Sequence, residues 1–498
     1  MRLLRLTLVL AFLIPTAGAQ GALETVLTPG ATAPEIRVEG AGMALDYDGD
    51  RAALGAERSR AGTGNNLAGA VLVYERQGSD WTQMTTLISP DFANGDRFGT
   101  SVAIEGDRLA VGEPQDGDEL SGAVHIFTYD GTGWTPTARL VPNSGIGFEN
   151  GLFGQAVALD GDRLFVGSPG DPEPGGDARV GAVYVYAFDG AGWVQEARLA
   201  ASIPVVSGDF GGALDADGDR VLVGAQASGT GGRAYVFRRE AGVWSQETRL
   251  SSSFPEAGGG FGARVALDGD RALVGASRED RAAVDDGAAY VFERTGTTWT
   301  QTARLGALTG PDGNFGSSVA LDGTAAVIGA LGVDAGRGRA YVFQFDAGDW
   351  VQRQTLFADD PQKFELFGSA VGLVDGRAVV GISGLEDDAS DPAGGAYVFA
   401  DVVVADEGAP ATGGAVLSAP APNPARGTSR LTVTVDTPQT VRAVLVDALG
   451  REVATVFDGV AVGVTEVTVD ASALPPGVYV VRVTGESVSA TRRLTVVR

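Results

Sequence analysis

His125 is the only histidine among the 498 residues, and there is no cysteine. Thiol nucleophiles, disulfides and cysteine-ligated zinc are therefore excluded. A multi-histidine metal site cannot be built, and a Ser-His-Asp triad would have one possible base. His125 stands in Gly122-Ala-Val-His-Ile-Phe127, at a position that recurs along the chain as Leu72, Tyr184, Tyr235, Tyr290, Tyr341 and Tyr397. Such a repeated column points to packing within a strand rather than to catalysis. Carboxylates are plentiful. A glycosidase needs two of them about 5–9.5 Å apart across a cleft. The adjacent pairs Asp285-Asp286, Asp359-Asp360 and Asp387-Asp388 are what 63 acidic residues yield by number alone, and they read as solvated surface. No GxxxxGK[ST] phosphate loop occurs. No Gly-x-Ser-x-Gly elbow stands at a strand-to-helix turn, since no stretch has a helical period. No residue is assigned a catalytic, cofactor-binding or metal-ligating role.

The elements that would have to position any such residue are copies of one unit. Phe-Gly opens it at Phe98, Phe153, Phe210, Phe261, Phe315 and Phe367. Within the copies follow an Asp-Gly turn (Glu105-Gly106 in the Phe98 copy), a Val-Gly or Ile-Gly, and a Gly-x-Ala/Val-Tyr-Val-Phe run or a close variant of it such as Gly122-Ala-Val-His-Ile-Phe127. All six tryptophans (Trp81, Trp134, Trp193, Trp244, Trp299, Trp350) share one further position. A period near 50 residues with strand-like content signals a propeller or a similar array. The Phe261 copy divides into four strands near 261–267, 271–276, 287–293 and 299–305. Asp-Gly between two such runs is a strong hairpin signal, because both turn residues take positive φ. A further unit opens at Met43 without its Phe-Gly, which makes seven copies of the first three strands. The Trp strand occurs six times. The segment Leu23-Glu-Thr-Val-Leu-Thr-Pro29 resembles that strand and is expected to complete the last blade from the N-terminal side.

Strands alternate in direction within a blade. The Asp-Gly turns and the turns before each Trp therefore share one face of the ring. The loops between second and third strands (56–68, 113–121, 168–180 and 382–393) and the loops between blades share the other. These loops vary in length and content, so that face and its central mouth are where binding is expected.

The flanks differ from the repeat. Arg2 and Arg5 precede the apolar run Leu6–Ile14, and Ala17-Gly-Ala19 precedes Gln20. Residues 1–19 read as a secretory signal cleaved between Ala19 and Gln20. Residues 20–400 hold the propeller, and 401–419, rich in Ala, Gly and Pro, read as a linker. Residues 420–498 carry period-two runs at 430–436, 441–446, 464–469 and 478–483, the pattern of a small Ig-like β-sandwich. The fold class is thus all-β: a seven-bladed β-propeller followed by a small sandwich. Formal net charge is −26, and one residue, Lys363, supplies all the lysine. A surface so acidic repels nucleic acid and anionic membranes. No segment of the mature chain has the roughly 20 apolar residues of a spanning helix.

The unit resembles the FG-GAP repeat, the blade of the integrin α-subunit propeller, over about 43–400. Metal-binding blades of that family carry a longer Asp-rich loop between the first two strands. Here the loop is Asp-Gly-Asp-Arg, as at Asp160–Arg163 and Asp268–Arg271, and its fullest remnant is Asp215-Ala-Asp217-Gly-Asp219. A two-residue turn cannot supply the six to eight oxygens calcium takes. The turn reads as a hairpin with a solvated carboxylate. No cofactor is expected, with calcium left as an open reading for the acidic variable loops.

The last domain resembles the C-terminal sorting domain of type IX secretion cargo. The matching pieces are Pro422-Asn-Pro424, Asp447-Ala-Leu-Gly-Arg451, Leu474-Pro-Pro-Gly-Val-Tyr479 and Arg492–Arg498. The resemblance implies the type IX secretion machinery as a partner, and a protein secreted or displayed on the surface of a gram-negative bacterium. The expected function is non-catalytic binding or adhesion to an extracellular protein or glycan. The alternatives are an extracellular polysaccharide-active enzyme with carboxylates in the propeller mouth, and a structural surface-layer component.

Overall fold

In the Phe261 copy the strands are Phe261–Asp268, Arg271–Ala276, Ala288–Thr295 and Thr298–Leu305, each antiparallel to the next. The second and third strands are buried almost continuously, and the fourth alternates between exposed and covered residues. Burial on both faces selects unbroken apolar runs, and one-sided burial selects alternation. This chain is a computed structural model. It describes residues 22–402 apart from 31–35, 62–66, 79, 92–94, 117–120, 143–150, 227–230, 281–284, 307–312, 347, 359–365, 384–393 and 401, together with 415–417, 427–447, 452–472, 474–475, 477–485 and 489–496. The helical segment among them is the single turn Val333–Gly336.

Seven such four-stranded sheets follow one another. The first is Ala44–Tyr47, Arg51–Ala56, Ala70–Gln77 and Asp80–Leu87. The seventh takes Val371–Val374, Arg377–Ile382 and Gly395–Ala400 from the end of the repeat region. Its fourth strand is Ala22–Leu27, antiparallel to Gly395–Ala400 with Leu23 opposite Phe399 and Leu27 opposite Ala396. The Arg377 Nε donates to Glu24 Oε2 at 2.7 Å across this joint.

Phe-Gly and Val-Gly are the interface chemistry between blades. Within its own blade Phe261 is buried edge-on against Tyr290 at 5.6 Å and Phe292 at 6.1 Å, and other opening phenylalanines repeat the contact, while the backbone of Phe315 bridges to Gly287 of the preceding blade. The glycine of each Val-Gly lets the next blade approach. A Cβ on Gly275 would lie 2.3 Å from the Gly316 carbonyl oxygen, and one on Gly381 would lie 2.1 Å from the Gly42 carbonyl oxygen. The seventh blade therefore meets the first through the same contact that joins the fifth to the sixth. The Ser369 hydroxyl adds a hydrogen bond to the Gly42 carbonyl at 2.8 Å. The first strands of consecutive blades touch all the way round, so they surround the axis.

The chain divides into two compact units, residues 1–403 and 404–498. In the second, the four short runs expected from sequence belong largely to longer strands. Thr428–Asp447 pairs with Glu452–Asp470 along nearly its whole length, with a register break between Val435 and Gln439. Gly477–Gly485 and Ser489–Val496 extend the pairing beyond 441–447. Ala415–Leu417, inside the stretch read as linker, pairs with Val433–Val435. Leu431, Val433, Val467, Leu445, Val481 and Leu494 join one buried core drawn from both sides of the break.

Candidate functional site on the loop face

The Asp-Gly-Asp-Arg turns are structural, and their first carboxylate is not simply solvated as the sequence suggested. Each reaches to the turn of the next blade. Asp48 accepts from the Gly106 amide at 3.0 Å, Glu105 from Gly161 at 2.7 Å, Asp217 from Gly269 at 2.6 Å and Asp322 from Asp375 at 2.7 Å. Asp268 accepts from Gly323 in the same way. The arginine completes the clasp. Arg108 donates from Nη1 to the Gly161 carbonyl at 2.9 Å and lies 4.5 Å over the Phe188 ring, which packs on Trp193. Arg51 does the same to Gly106 and Tyr129, and Arg271 to Gly323 and Phe345. The tryptophans thus pack as expected, and Trp134, Trp193 and Trp350 also receive the guanidinium of the preceding blade.

Beside the axis two carboxylates break the repeat. Asp46 and Asp215 occupy a first-strand column that elsewhere holds Ala103, Ala158, Ala266, Ala320 and Gly372. Asp46 accepts from the Ile104 amide and Asp215 from the Leu267 amide, each at 2.7 Å and each on the next blade. Burial pushes the Asp215 carboxyl up to about 7, and the charges of Asp46 and Asp217 add to the shift. Burial likewise raises Asp46 to about 6. In the fullest remnant of the family loop, Asp215 and Asp217 serve the next blade, while Asp219 pairs with Arg220 and Arg238. The three carboxylates face separate partners.

On the loop face the axis opens into a mouth of about 230 Å³. All seven first strands line it, and its polar lining includes Thr100, Ser101, Gln155, Ser318 and Ser369. Ser101 and Ser318 donate to the Gly154 and Gly368 carbonyls of the next blade at 2.8 Å. Arg264 is the one charged residue of this lining, and its Nη1 donates to its neighbour's carbonyl, Ala263 O, at 2.8 Å. Desolvation pulls its guanidinium down from the ordinary arginine value, with no acid compensating. The mouth therefore holds hydroxyls and a cation, and among the described residues its lining has no carboxylate.

A second departure lies at the edge of blade 2. In blades 3 and 5 the column of His125 is a tyrosine that donates to an acid held by an arginine. Tyr184 donates to Asp171 at 2.6 Å, and Arg198 holds Asp171 at 2.8 Å. Tyr290, Glu279 and Arg304 repeat this. In blade 2 the Arg139 guanidinium holds Asp116 and also Asp91, the latter at 2.9 Å. His125 replaces the tyrosine, and its Nε2 lies 2.8 Å from Glu113 Oε2 and 3.5 Å from Asp91 Oδ1. The Ser89 hydroxyl lies at 2.9 Å from Glu113 and 3.0 Å from Asp91. Burial raises the Glu113 carboxyl above its usual range, with His125 and Ser89 pulling it back. His125 also meets Phe98 edge-on at 5.8 Å, so the packing role read from sequence is present, but the acids around it were missed. The signal was Glu113, in a column that elsewhere holds Ala56, Ser168, Ala225, Ala276, Ala330 and Ile382.

Ala19, Gln20, Asp359, Asp360, Asp387 and Asp388 lie outside the described residues. Asp285 and Asp286 sit in the loop of blade 5, where the Asp285 amide donates to Asp280.

A family model for the FG-GAP repeat matches residues 81–127, 134–186, 193–237, 244–292, 299–343 and 350–399, more than half of the chain. The chain belongs to the FG-GAP repeat family. Each FG-GAP match starts on a Trp strand and ends on the third strand of the following blade. The sequence unit is thus offset by one strand from the blade, which is why a strand from before the first match completes the seventh sheet. Residues 421–497 match a secretion system C-terminal sorting domain, which marks this FG-GAP protein for export. No curated protein matches the chain.

Proposed function

We propose that this exported FG-GAP propeller binds, without catalysis, an acidic glycan on the outside of a gram-negative cell, holding one anionic sugar in the mouth on the loop face. The observation that carries the reading is the lining itself. Serine and threonine hydroxyls and the Gln155 amide suit sugar hydroxyls, and the Arg264 guanidinium, which forms no ion pair among the described residues, suits a carboxylate or sulfate. A glycan-cleaving mouth would present paired carboxylates; among the described residues this lining has none, and the axis carboxylates Asp46 and Asp215 lie further along the first strands, held by the Ile104 and Leu267 amides. Net charge of −26 would repel an acidic polymer at long range, so binding through the one arginine of the mouth implies short-range selection rather than steering. The test is an array of acidic and neutral glycans probed with the propeller and with its Arg264→Ala variant. Wild type should retain acidic glycans, and the variant should lose at least tenfold in affinity. Cleavage of a bound glycan would overturn the non-catalytic reading. Equal binding by the variant, or capture of protein ligands alone, would overturn the glycan assignment.

A further inference from the structure

Among the described residues, Asp91, Asp116 and His125 bring potential metal-ligating atoms within 4.8 Å of one another. Glu113 adds a fourth group, 2.8 Å from the imidazole nitrogen. Two observations set this group apart from an ordinary patch of acids. The first is unpaired atoms. Glu113 is wholly buried and its Oε1 has no hydrogen-bond partner. His125 is 1% exposed, and its Nε2 lies off the line of a hydrogen bond to any neighbour. Buried polar atoms are rarely left in that state. The second is charge. Blades 3 and 5 set one carboxylate against one arginine at this place. Blade 2 sets Asp91, Glu113 and Asp116 against Arg139 alone. With a neutral imidazole the group lacks two positive charges, which is what a divalent cation brings.

We propose that blade 2 holds a divalent transition-metal cation of the zinc type, ligated by His125 Nε2 and the carboxylates of Glu113 and Asp91, with Asp116 in reach as a further oxygen ligand. Arg139, bound to Asp91 and Asp116, orients these carboxylates from behind, as outer-shell partners do. Zinc bonds to nitrogen and oxygen run about 2.0–2.2 Å, so ligand atoms stand roughly 3–4 Å apart. From spacings of at most 4.8 Å among Asp91, Asp116 and His125 and of 2.8 Å between His125 and Glu113, side-chain movements of about 1 Å bring the ligand atoms into that range. The imidazole favours zinc, nickel or copper over calcium and magnesium. The bound ion ties the loop after the second strand, through Glu113, to the interblade loop that carries Asp91, and so stiffens one sector of the loop face.

The experiment titrates a tag-free mature chain with Zn²⁺ by calorimetry and with Co²⁺ by visible absorption, since bound cobalt reports its ligand field directly. One ion per chain should bind, with d–d bands of a nitrogen- and oxygen-ligated site and a rise in melting temperature. His125→Tyr and Glu113→Ala restore residues that other blades use at these columns. Both should therefore fold, and each should weaken binding at least a hundredfold. Absence of a one-to-one ion in the wild type, unchanged affinity in both variants, or equal response to Ca²⁺ would overturn the proposal.

Discussion

The carboxyl of Asp215 offers a direct test of how the axis is built. It is raised from 3.8 to about 7, mainly by burial. A folded-state value above the unfolded one means that the native chain binds the proton more tightly. Stability is then greatest below the unfolded value and falls as pH rises from about 4 to about 7, after which the loss is complete. Three pH units at about 1.4 kcal/mol each set a ceiling of about 4 kcal/mol. The side chain is only half-buried, so about 2 kcal/mol is the expected share. Asp215→Asn keeps an oxygen to accept from the Leu267 amide and removes the charge. For a propeller of about 380 residues, with an unfolding entropy of about 2.1 cal/mol/K per residue, this corresponds to about 2–3 °C. Melting curves followed by circular dichroism at pH 4 and pH 8 decide the matter. The variant should melt higher than wild type at pH 8 and show little or no gain at pH 4. An equal gain at both pH values, or a loss at pH 8, would refute a buried charge at this position.

Two further perturbations probe the joints between blades. Arg108→Ala removes a charged hydrogen bond to the Gly161 carbonyl and a contact with the Phe188 ring, and should cost about 1–2 kcal/mol in chemical denaturation. Arg108→Lys should recover only part of that, because a lysine cannot both cap the carbonyl and lie flat on the ring. Deleting residues 22–27 leaves Gly395–Ala400 an open edge and the Arg377 guanidinium without Glu24. The propeller transition should move down by many degrees, and an unchanged melting temperature would show that this strand is dispensable.

Much of the propeller was legible because the same residues recur in the same order. Phe-Gly, Val-Gly and Asp-Gly each mark a backbone requirement, and recurrence in at least six of seven units raises a weak local signal to a strong one. What a column does across a joint was not legible. The first Asp of Asp-Gly-Asp-Arg resembled a free carboxylate because its partner, such as Gly106 for Asp48, lies 58 residues away. Arg264, Asp46 and Asp215 carried a readable signal, since each departs from a column of small residues, but nothing in sequence says that these columns face the axis. His125 was judged by its column of tyrosines, whereas the informative departure was Glu113 twelve residues earlier in the blade. In the C-terminal unit the break at Val435–Gln439 interrupts the alternation, so one long strand reads as two short ones.

The pairing of Ala22–Leu27 with Gly395–Ala400 has a consequence for the order of assembly. Glu24 and Arg377 are 353 residues apart, whereas the other strands of every blade join neighbours along the chain. By chain entropy, closing so large a loop costs about 5 kcal/mol before any contact repays it. Six blades can therefore form while the seventh is still three-stranded, with one row of amides and carbonyls open. During that interval the first strand of a second molecule fits the edge as well as the chain's own. Crowded chains emerging together would exchange these strands and form linked dimers, so dilution, rather than added stability, favours the single ring.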